Sequence, residues 1–248
     1  MPAELRVFAL EGIPEVEKGD DLVAFLADAA ARAGGLEDGD VVVVAQKVIS
    51  KAEGRVLRLD DVRAGEQSVE LAGGERDPRH VQAILDESVR VVRSRPPLVI
   101  AETRHGFVCA SAGVDASNAK GPGTLVLLPV DPDATAARLR EGLRDRTGRE
   151  VGVVISDSFG RAWRQGTTDV ALGVAGLTAL LDLRGVRDSV GYELQATQVA
   201  IADEVAGAAE LVLGKTAGTP AAVVRGLDVA GDGRGRDLVM PPERDLFR

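Results

Sequence analysis

The chain has 248 residues, 45% hydrophobic and 28% charged, a balance that supports a large core and excludes a disordered, collagenous or coiled-coil protein. Thirty Lys and Arg against thirty-nine Asp and Glu leave a formal net charge of −9. That field repels nucleic acid and anionic membrane, so an anionic ligand needs a local basic pocket.

Leu5 to Leu10 alternates weakly like a strand, and Gly12-Ile13-Pro14 ends it in a loop. Asp20-Asp21 cap a helix whose apolar residues Leu22, Phe25, Leu26 and Ala29 recur at helical spacing, closed by Gly34-Gly35. After the turn Asp38-Gly39-Asp40, Val41 to Ala45 reads as a fully buried strand. Gln46 to Lys51 follows at once, placing two of the chain's lysines at its end. From Val56 to Arg93 the pattern is mostly helical and acidic, with Pro78 opening a helix through Val81, Ile84 and Leu85. Short strands at Leu98 to Ile100 and Gly106 to Cys109 precede the loop from Gly113 to Asn118. Leu125 to Val130 reads as a strand, and Asp131-Pro132-Asp133 caps a helix through Leu139 and Leu143. Val151 to Ile155 is the next buried strand, delivering Ser156-Asp157-Ser158 at its carboxyl end. Gly160 to Gly191 shows no clear period. An Ala-rich helix from about Gln198 to Leu213, a turn from Lys215 to Pro220 and a strand from Ala221 to Val224 follow. The reading is a mixed α/β (α+β) chain of two lobes with one site between them, and a linker-like, glycine-rich tail after Arg225.

The longest apolar runs fall far below the roughly 18 residues of a membrane helix. The first twenty residues interleave charge with apolar side chains, unlike a secretory signal. With Cys109 as the single cysteine no internal disulfide forms, and a cytoplasmic enzyme is the expectation. Aromatic residues, at 3%, are too scarce for a base-stacking nucleic-acid surface.

Gly214-Lys215-Thr216 has the end of a phosphate-binding P-loop without its first glycine: that position is Ala209, so a helix end and turn fit better. Asp157 and Ser158 at a strand end, with Asp115 in a second loop, offer hard oxygen donors to Mg²⁺ or Mn²⁺; the plainer alternative is a cap or turn former. His80 and His105 are the only histidines, which disfavours zinc. Arg161 and Arg164, flanking Trp163, can grip a phosphate or carboxylate, or simply form a solvated turn. Cys109 lacks a sequence partner that would activate a thiolate and reads as a small buried hydrophobe. Ser156 and Ser158 lack the nucleophile elbow of a serine hydrolase.

Several stretches in order resemble one family. They include Gly12-Ile13-Pro14-Glu15, the long run from Asp38 to Arg55, Ala112 to Asn118, Leu128 to Asp133, Ile155 to Arg161, Gly173 to Leu177, Ala202-Asp203-Glu204 and Val223 to Gly226. The chain is similar over about 13 to 226 to the coenzyme F-420:L-glutamate ligase family. The resemblance implies a GTP-dependent ligase that adds L-glutamate to a deazaflavin precursor and extends a γ-linked tail through an acyl phosphate. It implies Mg²⁺ or Mn²⁺, with K⁺ as a further candidate, and an intertwined homodimer acting on small molecules. Carried over by position, nucleotide contacts fall on Ile13, Pro14, Glu15, Val16, Gln46, Lys47, Lys51, Asn118 and Lys215, and metal ligands on Asp115, Asp157 and Ser158. Asp115, Asp157 and Lys51 are the catalytic candidates, and Arg161 and Arg164 candidates for substrate.

The chain departs from the resembled pattern at Lys215, where archaeal relatives carry a metal-binding glutamate; either Lys215 meets phosphate, or another acid such as Asp203 or Glu204 serves. Residues 1–226 read as the catalytic unit and 227–248 as a tail or linker. The competing readings are a nucleotide-binding domain of a bifunctional protein and a ligase for a different carboxylate cofactor.

Overall fold

Two runs of β-branched residues set the centre of the fold, which a computed structural model describes for residues 4–247. In chain order the elements are β1 (Arg6–Ala9), α1 (Leu22–Arg32), β2 (Val41–Ala45), α2 (Gln46–Ala52), β3 (Val56–Arg58), α3 (Glu66–Ala72) and α4 (Pro78–Asp86). Then come β4 (Ser88–Arg95), β5 (Leu98–Thr103), β6 (Val108–Ala110), β7 (Thr124–Val126) and α5 (Pro132–Thr147). The last are β8 (Gly152–Arg161), β9 (Arg164–Ala175), β10 (Leu181–Asp182), β11 (Gln198–Val199), α6 (Ile201–Leu213) and β12 (Ala221–Arg225). The architecture is mixed α/β.

The main sheet runs β1-β12-β2-β8-β9, with β2 and β8 parallel and the other neighbours antiparallel. Successive side chains on a strand point to opposite faces, so the apolar runs of β2 and β8 feed two cores at once. Val42, Val44, Val153 and Ile155 pack with α1 and α5, while Val41, Val43 and Val154 pack under α6. Both long helices on the first face start at the expected caps: Asp21 accepts from Ala24 N–H and Asp131 from Ala134 N–H, each at 3.0 Å. A third core, with Ile84, Val99, Ala101 and Leu125, joins α3 and α4 to β5 and the strand pair β3–β7.

Four sequence expectations change. The stretch read as mostly helical from Val56 to Arg93 holds two short helices between strands β3 and β4; Val89, Val91 and Val92 favour extended backbone, and β4 pairs with β5. The strand expected from Leu125 to Val130 ends at Val126, because Leu127 N–H turns to the Arg55 carbonyl. Ser156-Asp157-Ser158 do not end a strand. β8 continues to Arg161 and turns at Ala162-Trp163 into β9, so this polar segment runs through a long hairpin. The Ala-rich helix starts at Ile201, not Gln198, which belongs to β11.

The stretch read as a tail or linker packs on the body around Gly233 and Gly235. Gly233 and Gly235 press so closely that a Cβ would lie 2.3 Å from Ala179 N and 2.2 Å from the Leu172 carbonyl oxygen. Asp133 on α5 fastens it further, accepting from Gly235 N–H at 2.6 Å. No helix among the described residues is long and apolar enough to cross a membrane.

Candidate functional site

The end of β2 passes into α2 without a loop, so Lys47 and Lys51, four residues apart, share a helix face. That face looks across a cavity of about 310 Å³ whose lining comes from six separate stretches. Ile13, Pro14, Glu15 and Val16 form one wall, Gln46, Lys47 and Lys51 a second, and Asn118 reaches in from the loop after β6. Ser156, Asp157 and Ser158 of β8 form the floor, with Asp169 of β9 and Glu210 of α6 beside them. Lys215 and Thr216 close the remaining side. Their turn follows the end of α6, where Gly214 adopts φ +60°, a left-handed conformation natural to glycine.

Lysines and acids meet here unequally. Lys47 Nζ lies 2.6 Å from Asp115 Oδ2 and 2.7 Å from Ser117 Oγ. Ser117 in turn donates its N–H and hydroxyl to Asp115 at 2.7 and 2.8 Å. Burial by itself raises the Asp115 carboxyl, but Lys47 and Ser117 outweigh it and hold the group below the usual carboxylate range. Lys51 pairs with the exposed Glu15 at 2.5 Å. Lys215 has no ion-pair partner among the described residues.

Asp157 is the opposite case. Burial foremost, with the charges of Asp169 and Asp115 adding to it, pushes its carboxyl up to about 7 against the pull of Lys47 and its bond from the Ser158 N–H. Gln46 adds an unsatisfied donor: it is 1% exposed, its Oε1 accepts from Ser50 Oγ, and its Nε2 meets no partner. A buried amide N–H without an acceptor costs free energy, so this donor is open to an acceptor from a ligand or a water.

A family model described as F420-0:Gamma-glutamyl ligase matches residues 12–226. The chain belongs to that family. It is 42% identical to the Coenzyme F420:L-glutamate ligase of Methanothermobacter thermautotrophicus, covering 98% of this chain and 99% of that protein. The protein of the same name from Methanocaldococcus jannaschii is 46% identical over 86% of each chain, and that of Methanopyrus kandleri 43% identical over 98% of this chain and 99% of its own.

Thirteen-to-sixteen, Gln46, Lys47, Lys51, Asn118, Asp157, Ser158 and Lys215 therefore meet at one cavity in this family member. Three carried-over residues do not line it. Asp115 stands behind Lys47 and touches the cavity only through that ion pair. Arg161 and Arg164 lie at the exposed tip of the β8–β9 hairpin, several residues along the strand from Asp157, because β8 runs on past the cavity.

The substitutes considered for the acid at 215 also fail. Asp203 accepts the Ala171 N–H at 2.8 Å and is held under β9, and Glu204 is exposed; neither lines the cavity. The acids that do line it beside Lys215, Asp169 and Glu210, escaped the sequence reading. Asp169 lies in a stretch without clear period, and Glu210 looks like an ordinary polar position of an Ala-rich helix. A signal existed in the helix spacing: Glu210 is one turn before Gly214 and shares the cavity side with Leu213.

The oxygen donors suit a hard divalent ion. Among the described residues no group of three or more His, Cys, Asp or Glu side chains could hold a metal by itself. Asp157 and Ser158 would supply oxygen donors of the kind Mg²⁺ or Mn²⁺ takes, with phosphate oxygens and water needed to complete the shell.

The thiol of Cys109 belongs to no such chemistry. Burial pushes it up to about 12, and the nearby negative charge of Asp157 adds to this, so it stays a protonated, apolar filler.

Proposed function

We propose that this chain is a GTP- and divalent-metal-dependent ligase that joins L-glutamate to the deazaflavin precursor of coenzyme F420 and extends the γ-linked tail. The observation that carries the reading is the single cavity in which Lys47, Lys51 and Lys215 face Asp157, Asp169 and Glu210. An acidic protein that binds a triphosphate needs such a local group of cations. The acids opposite them need a partner of positive charge, which a nucleotide–metal complex brings.

A carboxylate acylates poorly because its oxyanion leaves badly. In the proposed reaction the acceptor's terminal carboxylate oxygen attacks the γ-phosphorus of GTP, the bond from that phosphorus to the β-phosphate oxygen breaks, and GDP departs. The α-amino nitrogen of glutamate then attacks the acyl carbon, the carbon–phosphate bond breaks, inorganic phosphate leaves with the electron pair, and the amine releases a proton. Neither step needs a covalent bond to the protein, so alignment and charge neutralisation are its tasks.

Lys47, Lys51 and Lys215 are assigned to phosphate oxygens, and the Gln46 amide to an acceptor on the nucleotide. Ile13 to Val16 and Asn118 form the remaining nucleotide walls. Asp157, Ser158 and Asp115 are assigned to hold the metal ion, which when bound polarises the transferring phosphoryl group. For Asp115 to serve, Lys47 must exchange its carboxylate for a phosphate, a swap between two anions on one flexible side chain.

The test is incubation of purified protein with GTP, Mn²⁺, L-glutamate and the unglutamylated deazaflavin. The expected products are GDP and a deazaflavin heavier by one glutamyl unit. Formation of neither sinks the reading; the same products from ATP with equal efficiency remove its choice of nucleotide.

A further inference from the structure

Ser156 and Ser158 stand two residues apart on the α6 side of β8, and Asp169 of β9 is paired directly opposite Ser158. Asp169 is 6% exposed, and both its oxygens are engaged. Oδ1 accepts from Ser158 Oγ at 2.7 Å and Oδ2 from Ser156 Oγ at 2.8 Å. Its backbone N–H donates to Glu210 Oε2 at 2.9 Å, tying the strand to α6 at this point.

A serine hydroxyl carries one hydrogen and two acceptor lone pairs. Each of the two serines gives that hydrogen to a carboxylate oxygen of Asp169. Ser158, which lines the cavity, is left to present lone pairs and nothing else. No ion pair of Asp169 offsets its charge among the described residues. A buried carboxylate held by neutral donors is an expensive way to fasten two strands, since asparagine would fill the same space uncharged. What the charge adds is polarity: it decides which way the Ser158 hydroxyl points.

We propose that Asp169 is a positioning residue that locks the Ser158 hydroxyl as an acceptor toward the cavity and acts, through Ser158, on the cation held with the nucleotide. The inference rests on the metal-dependent reading of the cavity. Glu210 supports it by fixing the backbone of Asp169.

The test is Asp169→Asn, read by Mn²⁺ binding in the presence of GDP with electron paramagnetic resonance, alongside turnover and thermal unfolding. The new amide still accepts from one serine and donates to the other, whose hydrogen then swings away, so the contacts are kept and one of the two is reversed in sense. Mn²⁺ affinity and kcat are expected to fall about 10- to 100-fold, the usual effect of removing a group that orients a metal ligand. KM for L-glutamate stays near the wild-type value. On a Ser158→Ala background the same substitution is expected to cost less than about threefold, because both changes remove one interaction.

Wild-type Mn²⁺ affinity in Asp169→Asn, or an equal loss on both backgrounds, overturns the inference and leaves the metal reading intact. Absence of Mn²⁺ binding by the unaltered protein with GDP overturns both. Should Asp169→Asn fail to fold, Ser158→Thr against Ser158→Ala decides: threonine keeps the hydroxyl and its bond to Asp169, and equal Mn²⁺ affinity in the two variants overturns the proposal.

Discussion

Asp115 and Asp157 both feel the Lys47 ammonium, yet their carboxyls move in opposite directions. Asp115 receives Lys47 at 2.6 Å and two bonds from Ser117, and its carboxyl is lowered. Asp157 has no such partner in contact, is more deeply buried, and shares its surroundings with Asp169, so its carboxyl rises to about 7. One side of the cavity is electrostatically complete within the chain, and the other is completed by what binds. The difference separates a carboxylate already paired within the chain from one that burial leaves without a close cation.

The largest expected effect breaks the incomplete side. Asp157→Ala should lower kcat by about 10²- to 10³-fold, the scale of losing one group that stabilises transition-state charge. Steady-state turnover near the wild-type value would show that Asp157 is not the metal-bearing acid.

Next comes the complete side. Lys47→Met should raise KM for GTP about tenfold by removing a phosphate partner, equivalent to about 1.4 kcal/mol of binding. A double-mutant cycle with Asp115→Asn, followed by chemical unfolding, should give a coupling of roughly 1 kcal/mol and no more, because Asp115 is partly exposed and screened. Zero coupling would mean that the ion pair does nothing for the empty protein.

The pH dependence sharpens the contrast. The folded chain holds a proton on Asp157 that the unfolded chain releases near the ordinary value of 3.8, so this group takes stability away as pH climbs from there to about 7. Asp115 has the reverse sign: its lowered carboxyl adds stability above the ordinary carboxylate value and loses it as pH falls through the lowered one. In thermal unfolding from pH 4 to 8, Asp157→Asn should gain on the wild type up to about pH 7 and then hold a constant lead. Mn²⁺ with GDP should narrow that lead. A gap independent of pH would contradict the raised carboxyl.

The smallest effect is expected at the hairpin tip. Arg164→Ala should change KM for GTP by less than about twofold, as an exposed position away from the cavity does. A tenfold change would place the tip over the nucleotide.

The local signals were readable where chemistry and sequence neighbourhood coincide. Asp21 and Asp131 cap their helices by bonding N–H groups three residues on, and the runs Val41–Ala45 and Val151–Ile155 are apolar enough to be buried on both faces. The failure of the P-loop motif at Ala209 was equally local: Gly214-Lys215-Thr216 is a helix end and turn. β4 was lost because its valines are interleaved with arginines, a pattern compatible with either period until β5 lies beside it.

The amino-acid order by itself determined the family, the elements with strong period or caps, and the presence of lysines and acids at several separated stretches. Only the tertiary structure decided which of them meet. Lys47 reaches Asp115 across sixty-eight positions, and Ser158 gives its hydrogen to Asp169 through a strand pairing that no local pattern encodes. Charge and hydrogen-bond sense depend on distance through space, and burial sets the cost of an unpaired group. Asp157 is therefore an ordinary aspartate in the sequence, and its carboxyl rises toward neutrality only once the fold buries it beside Asp169 and Asp115.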